Sequence, residues 1–357
     1  MQCIFVRETW SHMGKSSGFD PLFEAMSKIE GIDSVSYYAN QFEKAKSKKW
    51  YHRFFKQNAP ISLASRCSPF VDYKHERVAR VVIEQMKLKP NAFVFLSVTE
   101  NQFAPSLTSL SDKELKKLVL FVHQPPAWFK LNWYNIQLFS KVKAIVCLST
   151  TQLDYFKEIS KDVPVIQIKH GVDLDFFKPN NEGVNFNGKF LFVGQWFRDF
   201  AVLADSFPII KNTYNNITLH CVIQRKFRNN QALYKLAQSD SVFLYDDIDS
   251  EDLLALYQRS DALFLPLIDS TANNALNEAL ACGLPIITSN IGGTIDYIYS
   301  KGTILATPGD AQDHARAGIE FIKHVTHYAS QKNDIRKHAE QNLNWNNQAK
   351  RILSQLS

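Results

Sequence analysis

No run of 18 or more apolar residues occurs in this 357-residue chain, which excludes a membrane-spanning helix at the level of sequence. The opening MQCIFVRETW has no basic start followed by an apolar stretch. It does not read as a signal peptide, and the expected compartment is the cytoplasm. Cysteine is scarce: Cys3, Cys67, Cys147, Cys221 and Cys282 are scattered, odd in number and contain no CxxC pair. This argues against a disulfide framework or a zinc site and predicts buried thiols in a reducing compartment. Without secretion, the formal sequon Asn216-Ile217-Thr218 carries no meaning. No His/Asp/Glu cluster argues for a metal, so neither metal nor resident cofactor is expected, and there is no internal repeat or low-complexity tract. What remains is an ordinary globular composition, 45% hydrophobic and 21% charged, on a chain long enough for about two domains.

The formal charge of +6 is unevenly spread. Residues 1–168 hold 23 Lys and Arg against 15 Asp and Glu, a net +8, and the remainder 18 against 20, a net −2. A basic first half suits an anionic ligand. Short apolar runs alternate with amphipathic stretches. CIFVRE (3–8), NAFVFLSV (91–98), KLVLFVHQ (117–124) and KAIVCLST (143–150) read as strands. The last three are continuous and rich in β-branched or aromatic residues, as parallel strands covered on both faces are. Helices are expected at 20–29, with Asp20 as N-cap and Pro21 at the first helical position, and at 71–90. VPVIQIKHGVDLDFFKPNN (163–181) reads as a strand followed by an interdomain connection. A second series follows, with strands at 189–196, 217–224, 241–247, 261–267 and 284–289, and helices at 199–211, 229–238 and 249–260. Two βα series imply two doubly wound α/β domains, expected at 1–165 and 166–334, closed by an amphipathic helical stretch at 335–357.

The segment DSTANNALNEALACGLPIITSNIGG follows the strand DALFLPL. Its loop runs from Ile268 to Ala272, a helix starts near Asn273 or Asn274 and runs to Cys282, and Gly283 and Pro285 end it. The loop beyond a strand's carboxyl end is where open α/β sheets bind ligands. A helix start offers N–H groups to phosphate. Asn273 and Asn274 are either simple caps or part of that site. Glu278, among Ala275, Leu276, Ala279 and Leu280, is either a solvated glutamate or a carboxylate with a partner. It lies four residues beyond Asn274, on the same helix face, where a carboxylate accepts hydrogen bonds from ribose hydroxyls.

Three further stretches carry chemistry. Gly14-Lys15-Ser16 has the end of a phosphate-binding loop, but the required glycine is Thr9, which excludes a nucleotide triphosphatase. Gly14 and Gly18 fit a loop before a helix. His123 ends the strand KLVLFVHQ and precedes Pro125-Pro126; it is either a satisfied structural histidine or one lining a ligand site. FEKAKSKKWYHRFFKQ (42–57) has six basic residues, one acid, and Trp50, Tyr51, Phe54 and Phe55. It suits either an anionic membrane surface or a helix packing its aromatics inward. No recognised module accompanies it, so nucleic acid is not an expected partner.

NEALACGLPIITSNIGG resembles the signature of the retaining glycosyltransferases of family 4 and their relatives, which have the GT-B fold. HGVDLDFFKP (170–179), FLFVGQW (190–196), LLALYQRSDALFLPL (253–267) and the terminal NWNNQAKRIL are similar to further family stretches in the family's order. Together they cover most of residues 163–357. The resemblance implies two Rossmann-like doubly wound domains facing across a cleft, with the C-terminal helix returning to the N-terminal domain. It implies a nucleotide-diphosphate sugar bound by the second domain and a glycan or lipid-linked acceptor bound by the first. It further implies glycosyl transfer with retention, without a bound metal, in polysaccharide or glycolipid synthesis; a lipid-linked acceptor would explain peripheral membrane contact through the basic and aromatic residues of 42–57.

In the family pattern Glu278 holds the ribose, the loop of Gly14 meets donor phosphate or acceptor, and His123 contacts the transferred sugar. Three positions depart from it. A second glutamate, eight residues before the first, is Ser270 here, beside Asp269 and Thr271. Gln195 replaces the arginine after Val193-Gly194, and Arg198 stands near the family's lysine. Arg225 replaces a glycine-rich turn, either as a compensating charge or as part of a solvated basic turn. The expected site is therefore His123, Asp269 and Ser270 around the sugar. Around the rest of the donor are Gly14, Gly194, Gln195, Arg198, Arg225, Thr271, Asn273, Asn274 and Glu278. A nucleotide-sugar epimerase and a catalytically silent sugar-nucleotide-binding subunit are the alternative functions.

Overall fold

The computed structural model describes residues 1–8, 18–38, 67–180 and 186–356. Gly14 and the basic aromatic stretch at 42–57 lie outside them. The chain forms two compact units: one runs to Ile168 and takes in the stretch from Trp345 onward, and the other is Lys169–Asn344.

The first unit is built on a parallel sheet of β1 (Gln2–Arg7), β2 (Asp33–Tyr38), β3 (Phe93–Leu96), β4 (Leu118–Phe121), β5 (Ala144–Cys147) and β6 (Val165–Gln167). Their order is β2-β1-β3-β4-β5-β6, the doubly wound order seen in flavodoxin-like sheets with one strand added. Every residue of β4 and β5 is buried, as their unbroken apolar runs require. β2 is an addition to the sequence reading. It is an edge strand in which no residue is fully buried, so DSVSYY lacks the apolar continuity of the central strands. The helix Asp20–Ser27 starts one residue earlier than a cap at Asp20 would allow. Phe19 is the N-cap, and the Asp20 carboxylate instead accepts from Arg7 Nε at 2.9 Å. This helix packs against Trp345–Leu356, with the Phe19 and Trp345 ring centroids 5.4 Å apart.

The second unit has β7 (Lys189–Val193), β8 (Thr218–Val222), β9 (Val242–Tyr245), β10 (Ala262–Leu265), β11 (Ile286–Ser289) and β12 (Thr303–Ala306). All pair in parallel in the order β12-β11-β10-β7-β8-β9. The chain enters at β7 in the middle, steps outward to β9, then returns to β10 on the other side. This is the Rossmann strand order, and its reversal lies between β7 and β10. β12 and the helix Ala311–Lys323 also add to the sequence reading; β12 is an edge strand with alternating burial, a short and weak signal.

The terminal stretch is two helices rather than one. Lys332–Asn342 stays with the second unit and Trp345–Leu356 joins the first. Between them Leu343 is wholly buried, and its carbonyl accepts the Val172 N–H at 3.0 Å, which takes the chain out of the helical path. All five cysteines are buried free thiols. Among the described residues no helix is long and apolar enough to cross a membrane.

Candidate functional site

All six strands of the second sheet are parallel, so the loops after β7, β8, β9, β10 and β11 share one edge. The two at the strand-order reversal are tied together. Ile268 N–H donates to the Phe197 carbonyl at 2.9 Å, and Asp199 N–H to the Pro266 carbonyl at 3.0 Å. Gly194 opens the first loop at φ +93°, where an added Cβ would sit 2.8 Å from Arg198 Nη2. Glycine is needed there on both counts, because L side chains disfavour that φ and the guanidinium occupies the space. Arg198 folds back beneath it. Its Nε donates to Val193 O at 2.8 Å, Nη1 to Trp196 O at 2.9 Å and Nη2 to Asn273 Oδ1 at 3.0 Å. Gln195, half-buried, follows Gly194 in the same loop.

Asn273 is the N-cap of the helix Asn274–Ala281, and its Oδ1 also accepts from Leu276 N–H at 3.4 Å. Asn274 is the first helical residue, so Arg198 and the N–H groups of the first turn place positive charge and donors together. Gly283, at φ +69°, ends the helix where a Cβ would lie 2.6 Å from the Lys332 carbonyl. The loop before the helix carries Asp269, Ser270 and Thr271, the last two each 5% exposed. Asp269 Oδ1 accepts from Ser270 N–H at 2.7 Å, and Ser270 O from Gly293 N–H at 2.7 Å. A Cβ on Gly292 (φ +53°) would lie 2.6 Å from Asp269 Oδ1. The SNIGG turn therefore rests directly on Asp269 and Ser270, and the burial this brings raises the Asp269 pKa, against the Ser270 N–H bond that lowers it.

Glu278, 5% exposed, lies one turn into that helix. It is not the solvated glutamate that its apolar neighbours left open. Tyr257, on the helix Ser250–Arg259, donates its hydroxyl to Glu278 Oε2 at 2.8 Å. Burial, and then the Glu278 charge, push the Tyr257 phenol well above its usual value, so it stays a donor. Burial lowers the Arg198 guanidinium to about 10, opposed by Tyr257 and Glu278; it remains cationic at neutral pH. Arg225 stands apart. At the carboxyl end of β8, its N–H and Nε bind the Asp246 carboxylate at 2.8 and 3.0 Å, and its side chain is otherwise exposed.

In the first unit, His123 Nε2 lies 2.6 Å from the Ser97 carbonyl. A carbonyl only accepts, so Nε2 carries the proton. The backbone N–H groups of His123 and Gln124 donate to Glu100 Oε1 at 2.6 and 2.7 Å. Glu100 is wholly buried, and that burial raises its pKa. Neither Glu100 nor Tyr257 was legible as a site residue in sequence. In sequence Glu100 is one of the polar run Thr99-Glu100-Asn101-Gln102 and Tyr257 stands between Leu256 and Gln258; the partner of each is supplied by the fold. Among the described residues no three His, Cys, Asp or Glu side chains form a metal-ligand group.

Residues 187–324 match the family described as Glycosyl transferases group 1. No curated protein matches the sequence. Among solved structures, the chain is similar to a glycosyltransferase from Rickettsia africae ESF-5, with a TM-score of 0.67 and 16% identity over 99% of this chain and 97% of that one. It is similar to sucrose-phosphate synthase of Thermosynechococcus elongatus, with a TM-score of 0.73 and 13% identity over 99% and 98%. It is also similar to Anabaena HepE, solved with UDP and glucose, with a TM-score of 0.65 and 14% identity over 100% and 99%. The fold is thus the two-domain α/β GT-B fold, the second unit carries a glycosyl transferases group 1 domain, and the protein is a transferase enzyme of glycosyl transfer.

Proposed function

We propose that the second unit binds a nucleotide-diphosphate sugar and that the sugar passes, with retention of configuration, to a glycan or lipid-linked acceptor held by the first. The observation that carries this reading is the grouping at the β7/β10 reversal: a capped helix start, a guanidinium bonded to the cap, and a buried carboxylate one turn further on. In it Glu278 accepts the ribose hydroxyls. Arg198 and the N–H groups at Asn274 face the diphosphate, with Gly194, Gln195 and Thr271 lining the same edge. Asp269, held against the glycine turn where Ser270 replaces the second glutamate, meets the sugar, as His123 does from the first unit. Arg225 contributes field rather than contact, being paired with Asp246. Developing charge on the leaving diphosphate is met by helix N–H groups and Arg198, a set that calls for no metal. Three of the solved relatives support the choice of donor, since they were determined with UDP. Peripheral attachment to an anionic membrane through residues 42–57 belongs to the same reading.

A catalytically silent binding subunit is the second reading. It is favoured by the commitment of the Arg198 guanidinium to Val193, Trp196 and Asn273. A thermal-shift screen against UDP, GDP, ADP and CMP and their sugars, followed by donor turnover with and without acceptor, separates the cases. Transfer is expected to need an acceptor, and Glu278→Ala to weaken nucleotide binding about tenfold or more. Binding without turnover selects the silent subunit. Product formed from donor alone selects an epimerase. Absence of stabilisation by any nucleotide rejects the donor site.

A further inference from the structure

We propose that Tyr257 is a positioning residue for nucleotide recognition, holding the Glu278 carboxyl group in a fixed orientation so that it distinguishes ribose from deoxyribose. This rests on the donor-site reading and adds to it a residue and a selectivity. Tyr257 is 1% exposed and Glu278 is 5% exposed. It is the one fully buried residue of the helix Ser250–Arg259, which also packs Leu253, Leu254 and Leu256 against the core. The ring is held edge-on to Phe177, centroids 6.0 Å apart, which fixes where the hydroxyl points. The hydroxyl meets Glu278 Oε2 at 2.8 Å.

A carboxylate taken out of water needs compensating donors, and a hydroxyl donating to a charged acceptor makes one of the stronger kinds of hydrogen bond. The phenol keeps its proton because burial and the adjacent carboxylate oppose its ionisation. The phenol is therefore the donor in this bond and Glu278 Oε2 its acceptor. An ionised carboxylate has about four acceptor sites, so the bond to Tyr257 is compatible with accepting from a vicinal diol as well. Removing this donor takes away the bond that orients Oε2, about a terminal torsion that is intrinsically broad. The consequence is confined to selectivity for sugar hydroxyls. Diphosphate contacts rest on Arg198 and the helix start, which Tyr257 does not touch directly.

The test is calorimetric titration of the full chain with UDP, GDP and ADP in ribo, 2′-deoxy and 3′-deoxy forms, using wild type, Tyr257→Phe, Glu278→Ala, Glu278→Gln and the double variant Tyr257→Phe/Glu278→Gln. Wild type is expected to prefer the ribo form about tenfold. Tyr257→Phe is expected to lose most of that preference while still binding the deoxy forms like wild type, a pattern general destabilisation does not produce. The double variant has no buried anion to strand and stays folded if the single variant does not; because Glu278→Gln alone would keep an acceptor for Tyr257, the double variant is expected to lose the preference as Tyr257→Phe does. Unchanged preference in Tyr257→Phe, with the preference lost in Glu278→Ala, overturns the role of Tyr257 alone. So does a ribo preference at the wild-type level in the double variant. Preference or binding unaffected by Glu278→Ala, or no binding of any nucleotide, overturns the donor-site reading and this proposal with it.

Discussion

At the scale of single residues, Asp269 is where stability and activity pull against one another. Its carboxyl pKa is raised by burial, above the value near 4 of an unfolded chain. A folded-state pKa above the unfolded one gives a contribution to stability that is fully present below about pH 4 and lost as pH rises through the folded value. At neutral pH the buried charge therefore works against folding. Asp269→Asn keeps the acceptor that Ser270 N–H uses and removes the charge. It should melt higher than wild type at pH 7, with the difference shrinking below about pH 4, and lose transfer activity on the order of a hundredfold if the charge faces the sugar. Melts across pH together with initial rates check both halves. A variant that is as active as wild type returns Asp269 to a purely structural role.

At the scale of elements, the central parallel strands were legible because burial on both faces leaves an unbroken apolar run, as in β4 and β5. The helix Asn274–Ala281 was legible because its ends carry their own chemistry, Asn273 before it and Gly283 after. β2 and β12 were not: DSVSYY is broken by serines and is nowhere fully buried, and TILA buries only alternate residues. Nor was the pair of helices at the end of the chain, which break at Leu343, where the carbonyl accepts the Val172 N–H. The same non-locality hid Tyr257 and Arg336. Arg336 donates to the carbonyls of Leu174, Phe177 and Ala281 at 2.7–2.8 Å, joining the segment after His170 to the end of the Glu278 helix. Those carbonyls are contributed by loop and helix-terminus residues, where backbone acceptors have no intrahelical partner. Arg336→Met keeps the apolar stem and strips these three bonds together with the Nε bond to Glu340 at 2.7 Å. It should destabilise by about 3 kcal/mol, read as a lowered midpoint in urea with an unchanged slope. A midpoint within error of wild type shows that water replaces the guanidinium without loss.

At the scale of the molecule, two units with separate cores should respond separately to a ligand held by one of them. Every donor-site residue named within the described part, His123 aside, lies in Lys169–Asn344, including the loops after β7, β10 and β11. A ligand that binds the folded form only adds about 2.7 kcal/mol at a hundredfold excess over its dissociation constant. Hydrogen exchange limited by opening of the unit that holds it slows accordingly. With a stabilising nucleotide present, amides at 193–199, 266–283 and 289–294 should show the largest protection, followed by the central strands β7 and β10. The core strands β3–β5 of the first unit should exchange as before. The terminal helix supplies an internal control: Trp345–Leu356 follows the second unit in sequence but packs with the first. Its amides should therefore behave like those of Asp20–Ser27, whereas Lys332–Asn342, only a few residues earlier, should follow the nucleotide-bound unit. Protection confined to the first unit would place the nucleotide on the wrong half of the chain and reject the assignment of Glu278 and Arg198 together. Protection that divides between Asn342 and Trp345 would tie the ligand to the second sheet by a boundary that composition does not mark and that the break at Leu343 makes physically sharp.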